Sequence, residues 1–367
     1  WDKYFQKCVS ASRQAPQITK LRNQTTAQPY KEMFRHALNR TIMRMAFSSR
    51  TTMKISRQNL PSGGIMGHEY VSGVRDFASE PKKRVKTTNL SLAAKRRRKL
   101  PISMVTAYTT PSALHVDRAE IDILLVGDSL AMVELGMETT QGVGMDEMIH
   151  HCKAVSRGAK YCMMVGDMPF GSYEVNDDEA LKNAYRFVKE GGMDAVKLEG
   201  CRPNTVKKIV DGGVAVMGHV GLTPQAISVI GGFRAQGRTA VKARQLVDEA
   251  LALQDAGCFA IVLECVPEPV ARAVTNALTI PTIGIGAGNG TTGQVLVYHD
   301  MLGMTSHPHH KQFVPKFCKM YADIGETIRK GLEEFKREVE AGEFPSEEFS
   351  PYKMGKEELE VFNKMME

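Results

Sequence analysis

The chain has 367 residues and a formal net charge of +7 at pH 7, but the charge is divided unevenly along it. Residues 1–99 carry 22 Lys and Arg against 5 Asp and Glu, whereas residues 100–367 carry 26 against 36. Residues 100–367 therefore carry a net negative charge, which is unsuited to neutralising phosphates. This argues against nucleic-acid binding as the main function. No apolar run approaches the roughly 20 residues of a membrane-spanning helix, so we expect no membrane segment.

The seven cysteines indicate a reducing environment and not a disulfide scaffold. Their number is odd, no Cys-x-x-Cys pair occurs, and most of them lie beside apolar runs. This pattern is typical of buried free thiols, and it offers no cysteine ligands for a zinc site.

Residues 1–86 are predicted to form a basic, mostly disordered leader. The segment is rich in Arg, Lys, Ser, Thr and Gln, and it has no sustained helical or strand period. Within it, His36–Arg50 can form a basic amphipathic helix, and a Ser/Thr-rich stretch follows. This composition is typical of a mitochondrial transit peptide, so we expect the mitochondrial matrix. An ordinary disordered tail is the alternative, and it would leave a cytoplasmic protein.

A second basic cluster, Lys95–Lys99, directly precedes the first predicted strand. Such a run could contact nucleic acid. More often it is the solvated end of a helix, here Asn89–Lys99, and we favour that interpretation.

From residue 101 onward, short β-branched runs alternate with amphipathic stretches. Eight runs are predicted strands: Ile102–Ala107, Ile121–Val126, Tyr161–Val165, Ala195–Leu198, Val214–Met217, Phe259–Leu263, Thr282–Ile285 and Val295–Tyr298. Six stretches between them are predicted helices: Pro111–Arg118, Asp146–Arg157, Asp177–Glu190, Pro203–Val210, Ala240–Ala256 and Pro267–Ala277. The strand runs are continuously apolar, as expected for strands that are covered on both faces.

The order of these elements predicts an α/β fold, a (β/α)8 TIM barrel spanning residues 87–342. An open doubly wound sheet is the alternative, but no Gly-rich phosphate turn follows the first strand. A long charged helix, Tyr321–Glu340, is expected to close this domain, and residues 343–367 are predicted to form a peripheral acidic tail.

Charged and polar residues follow the predicted strands. Side chains in such positions converge at the C-terminal mouth of a barrel. The residues are Asp128, Ser129, Asp167, Lys197, Glu199, His219 and Glu264. Each aspartate taken alone has another explanation, since Asp often caps the helix that follows a strand. Four carboxylates together at one rim repel each other unless a cation or protons intervene.

Lys197 and Glu199 lie two residues apart in the run Met193–Gly200, so on a strand they face the same side. A structural ion pair explains them if they are taken alone. Three acidic oxygen ligands with room for water and substrate suit Mg²⁺ better than zinc. Mg²⁺ and Lys197 would stabilise the enolate of an α-keto acid, and Glu264 is the spare carboxylate that fits the role of base. A Schiff base on Lys197 is the less favoured alternative, because it does not need three acidic ligands.

Seven motifs, in this order, resemble the ketopantoate hydroxymethyltransferase family over about residues 87–353. They are Val126–Ser129, Gly166–Phe170, Val196–Gly200, Gly218–Gln225, Gly231–Arg238, Leu263–Pro267 and Ile283–Gly288. The later runs Gln294–Asp300 and His307–His310 look like the plant members, which are mitochondrial. The resemblance implies a homo-oligomeric enzyme that transfers a one-carbon unit from 5,10-methylenetetrahydrofolate to 3-methyl-2-oxobutanoate. The product, 2-dehydropantoate, leads to pantothenate and coenzyme A.

The family's functional residues carry over onto matching positions of this sequence. The resemblance implies three Mg²⁺ ligands: Asp128, Asp167 and Glu199. It implies four contacts to the keto acid: Asp128, Ser129, Asp167 and Lys197. It also implies that Glu264 is the proton acceptor and that His219 has an auxiliary role in orienting or protonating the substrate.

Two rim loops depart from the family's pattern. Thr109 stands where the family usually has Asp, and Gly136–Gly142 replaces a Gly-His-Asp-x-Thr-Leu-Pro stretch. A weakened family member is therefore one alternative. Another is a different Mg²⁺-dependent α-keto acid lyase or mutase of the isocitrate lyase and phosphoenolpyruvate mutase group. A third is a non-enzymatic role in which residues 1–99 bind RNA or a surface.

Overall fold

A computed structural model describes residues 84–305 and 315–367. The predicted leader, apart from its last three residues, and the run His307–His310 lie outside the described residues. Eight parallel strands close into a barrel in chain order. Their bounds are β1 Ile102–Thr106, β2 Ile123–Val126, β3 Met163–Asp167, β4 Ala195–Lys197, β5 Ala215–Gly221, β6 Ala260–Glu264, β7 Thr282–Ile285 and β8 Gly293–Leu296. The prediction of a (β/α)8 barrel is confirmed.

Helices alternate with the strands. Their bounds are α1 Asn89–Arg97, α2 Thr110–Arg118, α3 Leu130–Val133, α4 Met145–Gly158, α5 Asp177–Lys189, α6 Pro203–Asp211, α7 Ile227–Ile230, α8 Ala240–Asp255, α9 Glu268–Ala277, α10 Tyr298–Met301, α11 Ile324–Glu340 and α12 Lys356–Met366. Asn176 and Thr239 begin α5 and α8 with side-chain oxygens that accept backbone N–H groups. Such caps satisfy donors that have no partner inside the helix. In residues 84–305 and 315–367, no helix has the length and apolar character needed to cross a membrane.

The apolar residues form two layers, one on each side of the strands. An inner cluster contains one or two residues from every strand, among them Met104, Ile123, Met163, Ala195, Met217, Ala260, Ile283 and Val295. An outer cluster holds the alternate strand residues together with helix residues such as Phe187 and Leu253. Both faces of each strand are therefore covered, which explains the continuously apolar runs in the sequence.

The barrel closes where β1 pairs with β8. Ile102 lies opposite Gly293, and Met104 lies opposite Val295. A Cβ atom added to Gly293 would lie 2.4 Å from the carbonyl oxygen of Ile102, so only glycine fits this close approach.

Several predicted bounds were wrong by one to four residues at their edges, and two of them have a clear physical reason. The last strand was expected at Val295–Tyr298, but it starts at Gly293 and ends at Leu296. Pairing with β1 recruits Gly293 and Gln294, which have weak strand propensity, and the Tyr298 N–H instead donates to Thr106 Oγ1 as α10 begins. The long C-terminal helix starts at Ile324 and not at Tyr321, because Asp323 caps it by accepting from the Glu326 N–H.

The basic cluster Lys95–Lys99 serves the fold. The Lys95 ammonium lies 2.6 Å from Asp122 Oδ1. The Arg96 guanidinium donates to the carbonyl oxygens of three residues at the end of α9 and directly after it: Thr275, Leu278 and Thr279. Two of these five basic residues thus tie α1 to the barrel, which supports the interpretation as a helix end.

Candidate active site

All seven residues that the sequence singled out line one cavity of about 800 Å³. They are Asp128, Ser129, Asp167, Lys197, Glu199, His219 and Glu264. Four of them continue the inward rows of their strands: Asp167, Lys197, His219 and Glu264. Because residues two apart on a strand share a face, an inward apolar row ends in an inward polar side chain at the mouth.

Lys197 and Asp167 form a buried ion pair in this cavity. Lys197 Nζ lies 2.8 Å from Asp167 Oδ1, and the two residues are 4% and 1% exposed. Burial raises the pKa of Asp167 to about 7; Lys197 lowers it and Asp128 raises it. Burial alone would lower the pKa of Lys197, but the charges of Asp167, Glu199 and Asp128 outweigh burial and raise it. A buried ion pair contributes little net stability, so this one marks a candidate functional position.

His219 lies between two carboxylates. Its Nδ1 is 3.6 Å from Glu199 Oε1, and its Nε2 is 3.3 Å from Glu264 Oε2. Burial lowers the pKa of His219 first, and the neighbouring Lys197 ammonium lowers it further. The imidazole is therefore neutral near pH 7. A neutral imidazole can orient a carboxylate or relay a proton without adding a second positive charge.

The carboxylates of Asp128, Asp167 and Glu199 fit Mg²⁺ in donor type and in charge. Burial, followed by the charges of Asp128 and Asp167, raises the pKa of Glu199. Within the described part of the chain, Asp167 Oδ1 accepts no hydrogen bond of good geometry, although Lys197 is near. A divalent cation would offset this excess of negative charge. In that same part of the chain, no three Cys, His, Asp or Glu side chains are arranged to hold a metal ion by themselves. Waters and substrate would have to complete the coordination, and Mg²⁺ usually keeps several waters.

The sequence model described as ketopantoate hydroxymethyltransferase matches residues 86–347. The chain belongs to the ketopantoate hydroxymethyltransferase family. It is 57% identical over 285 residues to 3-methyl-2-oxobutanoate hydroxymethyltransferase 1, mitochondrial, of Arabidopsis thaliana, covering 77% of this chain and 82% of the relative. The protein of the same name in Oryza sativa subsp. japonica is 56% identical over 280 residues, with 76% and 77% covered. The Heliobacterium modesticaldum 3-methyl-2-oxobutanoate hydroxymethyltransferase is 53% identical over 251 residues, with 68% and 89% covered.

Family membership confirms the resemblance and the prediction that the chain is a hydroxymethyltransferase enzyme. It leaves the lyase or mutase alternative without support. The plant relatives of the ketopantoate hydroxymethyltransferase family are named mitochondrial, in line with the predicted destination.

One residue that the sequence reasoning missed braces two members of the site. Gln225 is 2% exposed, and its Nε2 donates to Asp128 Oδ2 at 2.9 Å and to the Met168 carbonyl at 3.0 Å. Its backbone N–H donates to Glu199 Oε2 at 3.0 Å. The Tyr173 hydroxyl donates to Gln225 Oε1 at 2.5 Å and accepts from the Glu199 N–H at 3.2 Å. Gln225 ends the motif Gly218–Gln225, but an uncharged amide carried no signal of its own.

Residues of the two departing loops make structural contacts beside the cavity. Thr109 Oγ1 accepts from the Ser112 N–H and begins α2, a capping role that Asp also fills. Gln141 Nε2 donates to the Gln225 carbonyl oxygen at 2.8 Å, so the replaced loop packs against the bracing residue. Ser129 Oγ lies 2.8 Å from the hydroxyl of the fully buried Tyr108, which fixes its position.

Proposed function

We propose that this enzyme catalyses Mg²⁺-dependent transfer of a hydroxymethyl group from 5,10-methylenetetrahydrofolate to 3-methyl-2-oxobutanoate. The products are 2-dehydropantoate and tetrahydrofolate. The observation that carries the proposal is a single cavity in which Lys197 lies among three buried carboxylates, with the more exposed Glu264 beside them. The names of the relatives support the identity of the keto acid.

The buried charges suit the binding of an α-keto acid. Asp128, Asp167 and Glu199 would hold Mg²⁺, which when bound supplies Lewis-acid stabilisation of negative charge on the keto oxygen. Lys197 adds a fixed positive charge, and its raised pKa keeps it protonated. The Ser129 hydroxyl can donate a hydrogen bond to the substrate.

Glu264 is the base in this proposal. It takes the proton from the carbon next to the keto group, and the C–H electron pair becomes the enolate. That carbon then forms a C–C bond to the donor's methylene carbon as the first of its two C–N bonds breaks. Water displaces the second folate nitrogen and becomes the hydroxyl, and the two released nitrogens take up the proton held by Glu264 and the remaining proton of the water. The Glu264 side chain is 17% exposed, so it can exchange its proton with solvent, and His219 at 3.3 Å holds it in place.

The test is an assay of purified protein with both substrates. We expect 2-dehydropantoate by mass spectrometry with Mg²⁺, loss of product with a chelator, and recovery when excess Mg²⁺ is restored. Absence of product with Mg²⁺ present would contradict the reaction. Product that is insensitive to the chelator would contradict the role of the metal.

We also propose a homo-oligomer and a mitochondrial leader. Helix α11 exposes an apolar row, Ile328, Leu332, Phe335 and Val339, at the spacing of one helix face. A second copy of the chain would cover it, and light scattering should then give a mass above 40.5 kDa. Residues 1–86 fused to a fluorescent protein should direct it to mitochondria, and cytoplasmic fluorescence would contradict the leader.

A further inference from the structure

The cavity has a wall that the proposed keto-acid chemistry leaves unused. At about 800 Å³ it is in the range that holds drug-sized ligands, whereas 3-methyl-2-oxobutanoate has only eight non-hydrogen atoms. Lys197 and Glu199 come from the end of β4. In the closed barrel, β8 lies diametrically across from β4. The residues after β8, including Asp300 and Phe317, line the far side of the same cavity.

Asp300 is the carboxylate of this far wall. It is half-buried in α10, and burial raises its pKa to about 6. Among residues 84–305 and 315–367, no donor bonds its side chain and no cation pairs with it. A desolvated carboxylate in a ligand cavity calls for N–H donors from the ligand.

The surroundings of Asp300 suit a flat, anionic ligand. The rings of Phe233 and Phe317 line the same cavity and are partly exposed, so they offer faces for stacking. Arg234 and Arg238 line it from the exposed stretch after α7, and none of the proposed steps uses them. They lie in the motif Gly231–Arg238, which is part of the family resemblance but has no catalytic role above.

We propose that Asp300 binds the 2-amino-4-oxopyrimidine edge of the reduced pterin in the one-carbon donor, with Arg234 and Arg238 facing its acidic tail. The adjacent ring N–H and 2-amino group present two parallel donors, which one carboxylate accepts as a bidentate pair. The inference rests on the proposed function, because it assigns the second substrate to the opposite half of the same cavity.

The test separates pterin binding from keto-acid activation. In D₂O, exchange of the proton next to the keto group needs only the keto acid and Mg²⁺, and NMR follows it without folate. We expect Asp300→Asn to keep this exchange within about twofold and to raise KM for 5,10-methylenetetrahydrofolate by about 10- to 100-fold, the loss of one charge-assisted hydrogen bond. Asp255→Asn, on the exposed end of α8, is the matched control and should change neither quantity.

A competitor without the acidic tail, 6-methyltetrahydropterin, distinguishes the two parts of the proposal. The inhibition constant of this competitor should rise in Asp300→Asn and stay unchanged in Arg234→Gln. The Arg234→Gln variant should instead have a higher KM for the full donor, which carries the acidic tail. An unchanged KM for the donor in Asp300→Asn overturns the inference. Loss of proton exchange in that variant also overturns it, provided that the variant still unfolds like the wild type. If the wild-type protein gives neither exchange nor product, the proposed function itself fails.

Discussion

Replacing Gln225 by Met tests whether this residue positions the proposed metal ligands. Met has a similar unbranched length, so it fills the space without the amide. The change removes the bonds from Nε2 to Asp128 and to the Met168 carbonyl, and the bond from Tyr173 to Oε1. It keeps the backbone N–H that donates to Glu199 Oε2. The variant therefore releases the Asp128 carboxylate from its hydrogen bond but keeps the backbone hydrogen bond to the Glu199 carboxylate.

The expected loss can be worked out from these contacts. A hydrogen bond to a charged acceptor contributes about 1.5–3 kcal/mol. Expressed as a ratio, this free energy is a decrease of about 10- to 100-fold in metal affinity. Removal of a residue that holds a metal ligand in place typically has an effect of this size. Each buried partner left without a hydrogen bond also lowers the free energy of unfolding by about 1–3 kcal/mol.

The assay is a titration of the metal-free protein with Mn²⁺, followed by electron paramagnetic resonance, with Mg²⁺ as competitor. Gln245→Met, on the exposed face of α8, is the control and should match the wild type. Chemical denaturation reports stability separately. Full metal affinity in a folded Gln225→Met protein would refute the positioning role, even if stability falls.

Three further predictions follow from the site. Glu264→Gln should retain Mn²⁺ binding and slow solvent exchange of the keto acid's proton by about 10²- to 10⁴-fold; normal exchange by NMR would remove Glu264 from the role of base. Asp167→Asn should weaken metal and keto-acid binding together, and tight binding of either by calorimetry would contradict its double role. Because burial raises the pKa of Asp167 from 3.8 to about 7, the folded metal-free protein holds a proton there that the unfolded chain has lost. Stability should therefore fall as pH rises from about 4 to about 7, with a shallower fall in Asp167→Asn, and urea denaturation in chelator at several pH values measures this slope.

Much of the fold and of the site follows from local sequence patterns. The continuously apolar runs reflect strands covered on both faces, and their alternation with amphipathic stretches predicted eight βα units. The residues that meet in the cavity were predictable as candidates, because a charged residue directly after a buried strand has a costly position unless it is used. Asp167, Lys197 and Glu264 each stand at the end of such a run, and the closed barrel brings them together.

The edges of elements and the supporting residues were less predictable. Gly293 and Gln294 have weak strand propensity and join β8 only because β1 lies beside them. Gln225 looks like any other glutamine until the fold brings Asp128, Glu199 and Tyr173 around its amide. Asp300 follows the last strand by a few residues, and its place across from β4 follows from barrel closure alone.

The sequence by itself thus determined the barrel, the family and the charged residues of the mouth, because hydrophobic period and strand-end position are local properties of a chain. Only the tertiary structure decided which carboxylate pairs with Lys197, that His219 lies between Glu199 and Glu264, and that Gln225 braces the site. These contacts join residues from separate strands and loops. Their distances depend on the register and closure of the whole barrel, which no single stretch of sequence encodes.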